Sequence, residues 1–328
     1  MTHTRTYAQA LAEATLQGMA LDPSVFVIGQ GTRDSGQIFG SLEGVFQLWG
    51  EKRVIEMPLS ENAVAGICVG AALTGLRPLY ILQRADFSFL VLDQIINHAA
   101  KYHFMFGGRT KVPLTLRLIV GKGWGQGPQH SQSVHSMLTH FPGLRVVAPA
   151  DAYSAKGLLL NSIFSDDPVI IIEGRPLYSA SQEIPQEPYT VPFGKARILR
   201  SGTDMTIIAI SFLVPEATKA AEELAKGGID AEVIDVVSLN PLDKETLVAS
   251  AEKTSRVLIV DSSWSFCGFS AEVSALLSER LFGKLKAAPV RLTLPPTPTP
   301  TAAALEQKFY PTSNDIIEKS RALMRNTS

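Results

Sequence analysis

Three stretches of this chain carry side chains that could do chemistry. In MPLSENAVAGICVGAALTGLRP, residues 57–78, Glu61 stands at the mouth of a helical pattern holding Gly66, Gly70, Ala71, Ala72 and Gly75. Small residues there permit close packing, so a carboxylate at that point would be fixed on a rigid scaffold. The simpler role for Glu61 is to complement the helix dipole, worth about 0.3 to 1 kcal/mol, and local sequence alone favours it. In ILQRADFSFLVLDQIINHAAKYHFMFGG, residues 81–108, Gln83, Phe87 and Phe89 follow a strand end, where open α/β sheets place their ligands. Core filling at a strand-to-helix corner would account for the two phenylalanines equally well. In GPQHSQSVHSMLTHFPGLRVVAPAD, residues 127–151, His130 follows a glycine-rich loop and lies outside any periodic apolar face. That makes it the best local candidate for an acid or base, although a loop histidine taken alone is more often structural or solvated.

Several other sites are excluded. The GQG at 29–31 follows a strand, but a dinucleotide fingerprint needs glycine where Asp34 stands, and no convincing ribose-binding acid follows. The loop GKGWGQG at 121–127 lacks the spaced glycine before Gly-Lys-Ser/Thr that makes a phosphate-cradling P-loop. His98 and His103, then His130, His135 and His140, recur every five residues, roughly 500° around a helix, which disperses the imidazoles rather than pairing them on a metal. No GxSxG elbow is present for a serine hydrolase.

The elements that must position these residues are legible in the pattern. The 328 residues are 45% hydrophobic and 19% charged, an ordinary globular composition with room for two domains. Lys and Arg number 30 against 31 Asp and Glu, a net charge of -1 without a basic run, so a nucleic-acid or membrane-surface footprint is missing. Cys68 and Cys267 lie far apart and suggest no disulfide, consistent with a reducing compartment. The most apolar stretch, 63–73, is short for a bilayer span, and a cytoplasmic location is expected. Apolar runs at 25–28, 79–82, 112–120, 144–147 and 169–172 alternate with helical spacing at 7–19, 62–76, 88–105 and 152–164, which argues for a parallel sheet. The unalternated VIII at 169–172 suits a strand covered on both faces. Residues 181–194, proline-rich and aperiodic, are expected to link a first domain (1–180) to a second, smaller α/β domain (195–328). Within the second, strands are expected at 205–210, 231–236, 257–260 and 290–294, with helices at 216–226, 244–252, 271–281 and 315–324.

In order along the chain, PLSE at 58–61, GLRP at 75–78, DQIINHAAK at 93–101, QHSQS at 129–133, FPGLRVVAP at 141–149, DAYSAKGLL at 151–159, DPVIIIE at 167–173 and the PxPxxxxLE pattern ending at Glu306 resemble one family. That family is the beta subunits of pyruvate, branched-chain and acetoin dehydrogenase decarboxylating components, within the transketolase-like thiamin diphosphate enzymes. The resemblance implies an α/β fold of two domains, each a mostly parallel sheet flanked by helices: a transketolase-like pyrimidine-binding domain followed by a transketolase C-terminal domain. It also implies decarboxylation of a small 2-oxo acid and transfer of the acyl group to lipoamide. The glutamate matching Glu61 contacts the aminopyrimidine ring nitrogen and promotes the imino tautomer that takes the thiazolium proton. Phe87 matches the aromatic that packs on that ring, Leu59 and Gln83 border it, and His130 matches a histidine on the substrate side. Leu114, Ser162, Ile163, Ser165 and Asp167 match a structural potassium site.

The family's diphosphate and magnesium motif, a GDG with a downstream asparagine, is absent from these residues. The resemblance therefore implies an alpha subunit that holds Mg2+ and the diphosphate, an alpha2-beta2 assembly, and a lipoyl acyltransferase as a further partner. Three positions depart from the pattern. Gln30 replaces an acid and cannot deliver a proton as a carboxylic acid does. Arg84 takes an apolar or aromatic position, and Pro296 an acidic one. They leave open a specialised transketolase-like or acyloin-forming subunit, or a non-catalytic paralogue that stabilises an alpha subunit.

Overall fold

A computed structural model describes residues 1–325. The chain divides into two compact units. The first comprises Met1–Gly121 with Leu138–Phe193; the second comprises Lys122–Met137 with the chain from Gly194 onward. The segment carrying His130 thus belongs to the second unit, although the chain is still traversing the first on either side of it.

The first unit is built on parallel strands β2 (Val25–Gly29), β3 (Val54–Glu56), β4 (Arg77–Leu82), β5 (Thr115–Val120), β6 (Arg145–Val147) and β7 (Val169–Gly174), in the spatial order β6-β7-β5-β4-β2-β3. Every residue of β5 and β7 is buried, as sheets covered by helices on both faces require. Helix α1 (Tyr7–Leu21) opens with a capping box from Thr6 and Gln9 and packs on α3 (Ala152–Ile163), where a Cβ on Gly18 would lie 2.9 Å from the Ile163 side chain. Asp151 caps α3 through the Ser154 N–H. Helix α2 (Glu61–Leu73) carries Glu61 as its first residue, and the helical run 88–105 contains a π-helical stretch at Asp93–Ala99.

Two strands escape the sequence pattern. Strand β1 (Thr2–Thr6) pairs antiparallel with β8 (Ser181–Pro185), inside the stretch expected to be linker. Both are short and largely polar on a partly exposed ribbon, so neither shows the apolar run of a buried strand.

The second unit holds β9 (Arg197–Arg200), β10 (Met205–Ala209), β11 (Ala231–Asp235), β12 (Val257–Trp264) and β13 (Val290–Leu294), in the order β13-β12-β10-β11-β9. Only β9 runs antiparallel, an edge strand too polar to be read from sequence. Its longer helices are α4 (Val214–Lys226), α5 (Lys244–Thr254), α6 (Phe269–Arg280) and α7 (Ser313–Arg325), and a short helical turn spans Ala303–Glu306. The expected fold class holds in both units.

Candidate active site

Glu61 is placed by the sharp entry into α2. Ser60 precedes it with a non-helical backbone, φ -155° and ψ 53°, yet its hydroxyl makes no capping bond, and the Tyr80 hydroxyl from β4 donates to the Glu61 carbonyl at 3.3 Å. The Glu61 residue is 9% exposed, and among the described residues nothing donates a hydrogen bond to its carboxylate. That carboxylate borders a pocket of about 510 Å³ lined by Ser60, Glu61, Asn62, Gly66, Leu90 and Gln94. A Cβ on Gly66 would lie 3.4 Å from the Gln94 amide oxygen, an ordinary contact at the pocket wall. An accessible carboxylate on an otherwise buried residue, unsatisfied by protein, suits a ligand that brings its own donor. The aminopyrimidine of thiamin diphosphate is such a group. Its place in the first turn also complements the helix dipole, so position alone does not separate the two roles; the open pocket is what the dipole role does not need.

Gln83 stands elsewhere on the same sheet edge. Its amide donates to the Gln30 carbonyl at 2.7 Å, bridging the loops after β4 and β2. Gly31, at φ +74°, is required beneath it, because a Cβ there would fall 2.2 Å from the Gln83 amide nitrogen. The loop is gathered by Glu56 at the end of β3, whose carboxylate accepts from the Gly31 N–H at 2.5 Å, the Thr32 hydroxyl at 2.9 Å and the Arg33 N–H at 3.2 Å. An acid therefore does serve this loop despite the amide at position 30. Phe87 closes a single 3-10 turn, Ala85–Phe87, and is half-buried; Leu59 is 72% exposed just before α2. Neither residue nor Gln83 lines the pocket beside Glu61.

The residues matched to a potassium site form a tight loop with its own cation. Arg77 donates to the carbonyls of Ile163 at 3.1 Å and Ser165 at 3.0 Å, Leu114 O accepts from the Val169 N–H and Ser162 O from the Ser165 N–H. Asp167 takes Arg145 at 2.6 Å. The loop is closed by guanidinium groups, so this donor set does not single out a metal ion. Among the described residues no cluster of three His, Cys, Asp or Glu could hold one.

The first unit also holds a buried network that sequence did not reveal. Arg117 and Glu173, both fully buried on adjacent strands, pair at 2.5 and 3.0 Å, Tyr178 donates to Glu173 at 2.5 Å, and Arg117 donates to Ser41 at 2.8 Å. Burial opposes charge on Arg117, but Glu173 outweighs it and holds the guanidinium above its ordinary value. Burial and the same carboxylate push the hydroxyls of Tyr7 and Tyr178 well up.

In the second unit, His130 lies in a turn closed by its own N–H to Gly127 O. The glycine loop before it is tied down by Glu306, 6% exposed, whose carboxylate accepts from the N–H of Gly123 at 2.8 Å and of Gly125 at 3.3 Å. After it, His135 meets Asp261 of β12 at 2.9 Å, both buried. Asp261 also accepts from the Ser263 N–H, the Ser263 hydroxyl and the Ser270 N–H. Burial works against its ionisation, but His135 and these donors hold the carboxyl below its usual range. Pro128 and Gln132, two residues either side of His130, line a pocket of about 380 Å³ with Trp264, Phe266, Pro296 and Pro298. The sequence had offered His130, its glycine-rich loop, Pro296 and the LE of PxPxxxxLE as separate positions, but none of these contacts.

The fold defines a class, which the comparisons bear out. A solved structure described as a split gene transketolase, inactive beta4 tetramer, matches with a TM-score of 0.78 at 22% identity, covering 98% of this chain and 99% of that one, a likeness of fold. Residues 3–181 match the transketolase pyrimidine-binding domain and residues 194–316 the transketolase C-terminal domain. The acetoin:2,6-dichlorophenolindophenol oxidoreductase subunit beta of Cupriavidus necator is 39% identical over 96% of each chain. Its Bacillus subtilis counterpart is 38% identical over 97% of this chain and 96% of that one, and the pyruvate dehydrogenase E1 component subunit beta of Bacillus subtilis is 36% identical over 97% and 98%. The chain belongs to this family, the beta subunits of thiamin diphosphate-dependent 2-oxo-acid and acetoin dehydrogenases. No helix among the described residues is long and apolar enough to cross a membrane.

Proposed function

We propose that this chain provides the aminopyrimidine half of a split active site that decarboxylates a small 2-oxo acid and passes the acyl group to lipoamide. The carrying observation is the Glu61 carboxylate, open to a pocket of about 510 Å³ with no protein donor spent on it. Bound thiamin diphosphate supplies an electron sink for the carbanion left when carbon dioxide departs, and the protein supplies placement and proton transfer. Glu61 accepts a hydrogen bond from the pyrimidine ring nitrogen and keeps a proton at that atom. The family resemblance assigns Leu59, Gln83 and Phe87 to the border of the ring, although none of the three lines the pocket beside Glu61, and it assigns His130 a proton on the substrate side. An alpha subunit holds the diphosphate and Mg2+, giving an alpha2-beta2 enzyme, and a lipoyl acyltransferase receives the product. A structural potassium ion at Leu114, Ser162, Ile163, Ser165 and Asp167 is part of the same proposal, the carbonyls of Ile163 and Ser165 there also accepting from Arg77, and no step depends on the ion.

A second reading, cleavage of acetoin in place of a 2-oxo acid, draws support from the two acetoin-enzyme relatives, at 39% and 38% identity. The test is reconstitution with the co-purifying partner. Thiamin diphosphate should bind weakly to the isolated chain and tightly to the pair, and Glu61→Ala should lower carbon dioxide release about a hundredfold or more without changing the mass of the assembly. Tight binding by the isolated chain would refute the split site; undiminished turnover would return Glu61 to the helix dipole. Acetoin consumption without carbon dioxide release would select the second reading.

A further inference from the structure

Three loops leave the carboxyl ends of β2, β4 and β7 in the first unit, and they bring two arginines onto one aromatic ring. The guanidinium carbon of Arg175, the residue after β7, lies 3.7 Å from the Phe39 ring centroid, and that of Arg84, two residues after β4, lies 5.1 Å from it. The two positive groups can therefore be no farther apart than the sum of those distances. Both arginines are partly exposed. Carboxyl ends of parallel strands are where open α/β sheets bind their ligands, and Gln83, the neighbour of Arg84, already reaches across this edge to Gln30.

The ring is held in place at a conformational cost. Gln37, Ile38 and Phe39 have φ of 42°, 48° and 58°, three consecutive side-chain-bearing residues in the left-handed region. Such runs persist where surrounding structure imposes them, and they concentrate at functional sites. The charge at Arg84 points the same way: burial, and after it Arg175, lower its affinity for a proton, and Arg175 is felt more strongly than the nearby Asp86 carboxylate. Burial likewise lowers Arg175. Arg84 donates one N–H to the Gln83 carbonyl at 2.7 Å, which helps to fix its guanidinium beside that of Arg175, and two guanidiniums over one ring concentrate the positive charge and N–H donor chemistry that carboxylate and phosphate oxygens fit.

We propose that Arg84 and Arg175, stacked on Phe39, form a recognition site for an anionic terminal group of the substrate or acceptor, a carboxylate or phosphate remote from the reacting carbon. As a substrate determinant this rests on the thiamin-enzyme reading above; as an anion site it does not. Acetoin and the short aliphatic 2-oxo acids carry no such second anion, so the site directs the enzyme toward a larger, doubly anionic ligand.

The experiment uses the full chain with its co-purifying partner and two readouts. Titration calorimetry with glutarate, glycerol phosphate and butyrate measures binding without turnover. Glutarate or glycerol phosphate should bind in preference to butyrate, and Arg84→Met and Arg175→Met should each weaken that binding about ten- to a hundredfold, as loss of one charged hydrogen-bond donor set implies. Arg109→Met, an exposed arginine elsewhere in the unit, is the control and should leave it unchanged. Preference for glutarate identifies a dicarboxylate, and preference for glycerol phosphate a phosphorylated ligand. In parallel, the kcat/KM ratio for 2-oxoglutarate over 2-oxobutanoate should fall in both variants. Equal binding of the three probes, or loss of binding in the control as large as in the two variants, overturns the anion site. Absence of turnover with intact, arginine-dependent anion binding overturns the reaction assigned above and leaves the anion site standing.

Discussion

Replacing Glu306 tests whether the loop before His130 is held by one carboxylate. Its two oxygens accept from the N–H groups of Gly123 and Gly125 at 2.8 and 3.3 Å, and the residue is almost wholly buried. A hydrogen bond to a charged group contributes about 1.5 to 3 kcal/mol, and the longer contact counts for the lower figure or less. Glu306→Ala therefore removes about 2 to 4 kcal/mol from loop closure. Glu306→Gln keeps one acceptor oxygen without charge and should lose about half of that.

Because the bonds are local, the effect should appear as local opening, not global unfolding. Amide hydrogen exchange read on peptides spanning residues 121–130 is the assay. At about 1.4 kcal/mol per tenfold, Gly123 and Gly125 should exchange about thirty- to several-hundredfold faster in Glu306→Ala, and about tenfold faster in Glu306→Gln, while β12 keeps its protection. The midpoint of thermal unfolding should move by only a few degrees. Unchanged exchange at those two amides in the alanine variant would refute the argument, as would an equal loss of protection throughout the second unit. If His130 acts in turnover, kcat should fall with the same ranking, alanine below glutamine.

Two further outcomes follow from the buried charges. Asp261 has its carboxyl depressed, so it stabilises the fold fully above the unfolded aspartate value of about 3.9 and loses that contribution as pH falls through its lower native value. Asp261→Asn should lower stability near pH 7 and flatten the acid limb below about pH 4, read as urea midpoints from pH 2 to 7; a parallel shift at every pH would show that the carboxylate's charge is irrelevant. Breaking the Arg117–Glu173 pair from one side, as in Glu173→Gln, should cost about 3 to 5 kcal/mol, because a buried cation is left against a neutral amide. The double change Arg117→Met with Glu173→Leu should recover most of it, and equal costs in single and double variants would place the energy in packing.

How much was legible in the sequence depended on the physics that each residue obeys. The all-apolar strand VIII at 169–172 and the Asp151 cap announced themselves, because burial on both faces and an orphan N–H each demand particular residue types nearby. Strands β1, β8 and β9 did not: short and polar, they form through ladder bonds that any side chain permits. Glu61 was legible as a helix opener, but only the fold shows its carboxylate facing open space, since exposure at a pocket is set by Leu90 and Gln94 some thirty residues away. Partnerships across long separations, such as Glu306 with Gly123 or His135 with Asp261, have no local signature at all.

The same contrast bears on where chemistry can reside. Positions 30 and 84 looked like losses when judged one at a time, an acid turned to an amide and an apolar residue turned to arginine. In three dimensions the carbonyl of Gln30 receives Gln83, Glu56 supplies an acid to the loop beside it, and Arg84 joins Arg175 on Phe39. A decayed site would keep its departures scattered and leave charges unrelated to one another. Here two of the three departures follow strands of one sheet, Gln30 meeting Gln83 and Arg84 lying over Phe39 beside Arg175, and the third, Pro296, lines the pocket flanking His130. The open Glu61 carboxylate, on which the proposed proton transfer rests, is the feature that speaks against a stabilising paralogue without catalysis.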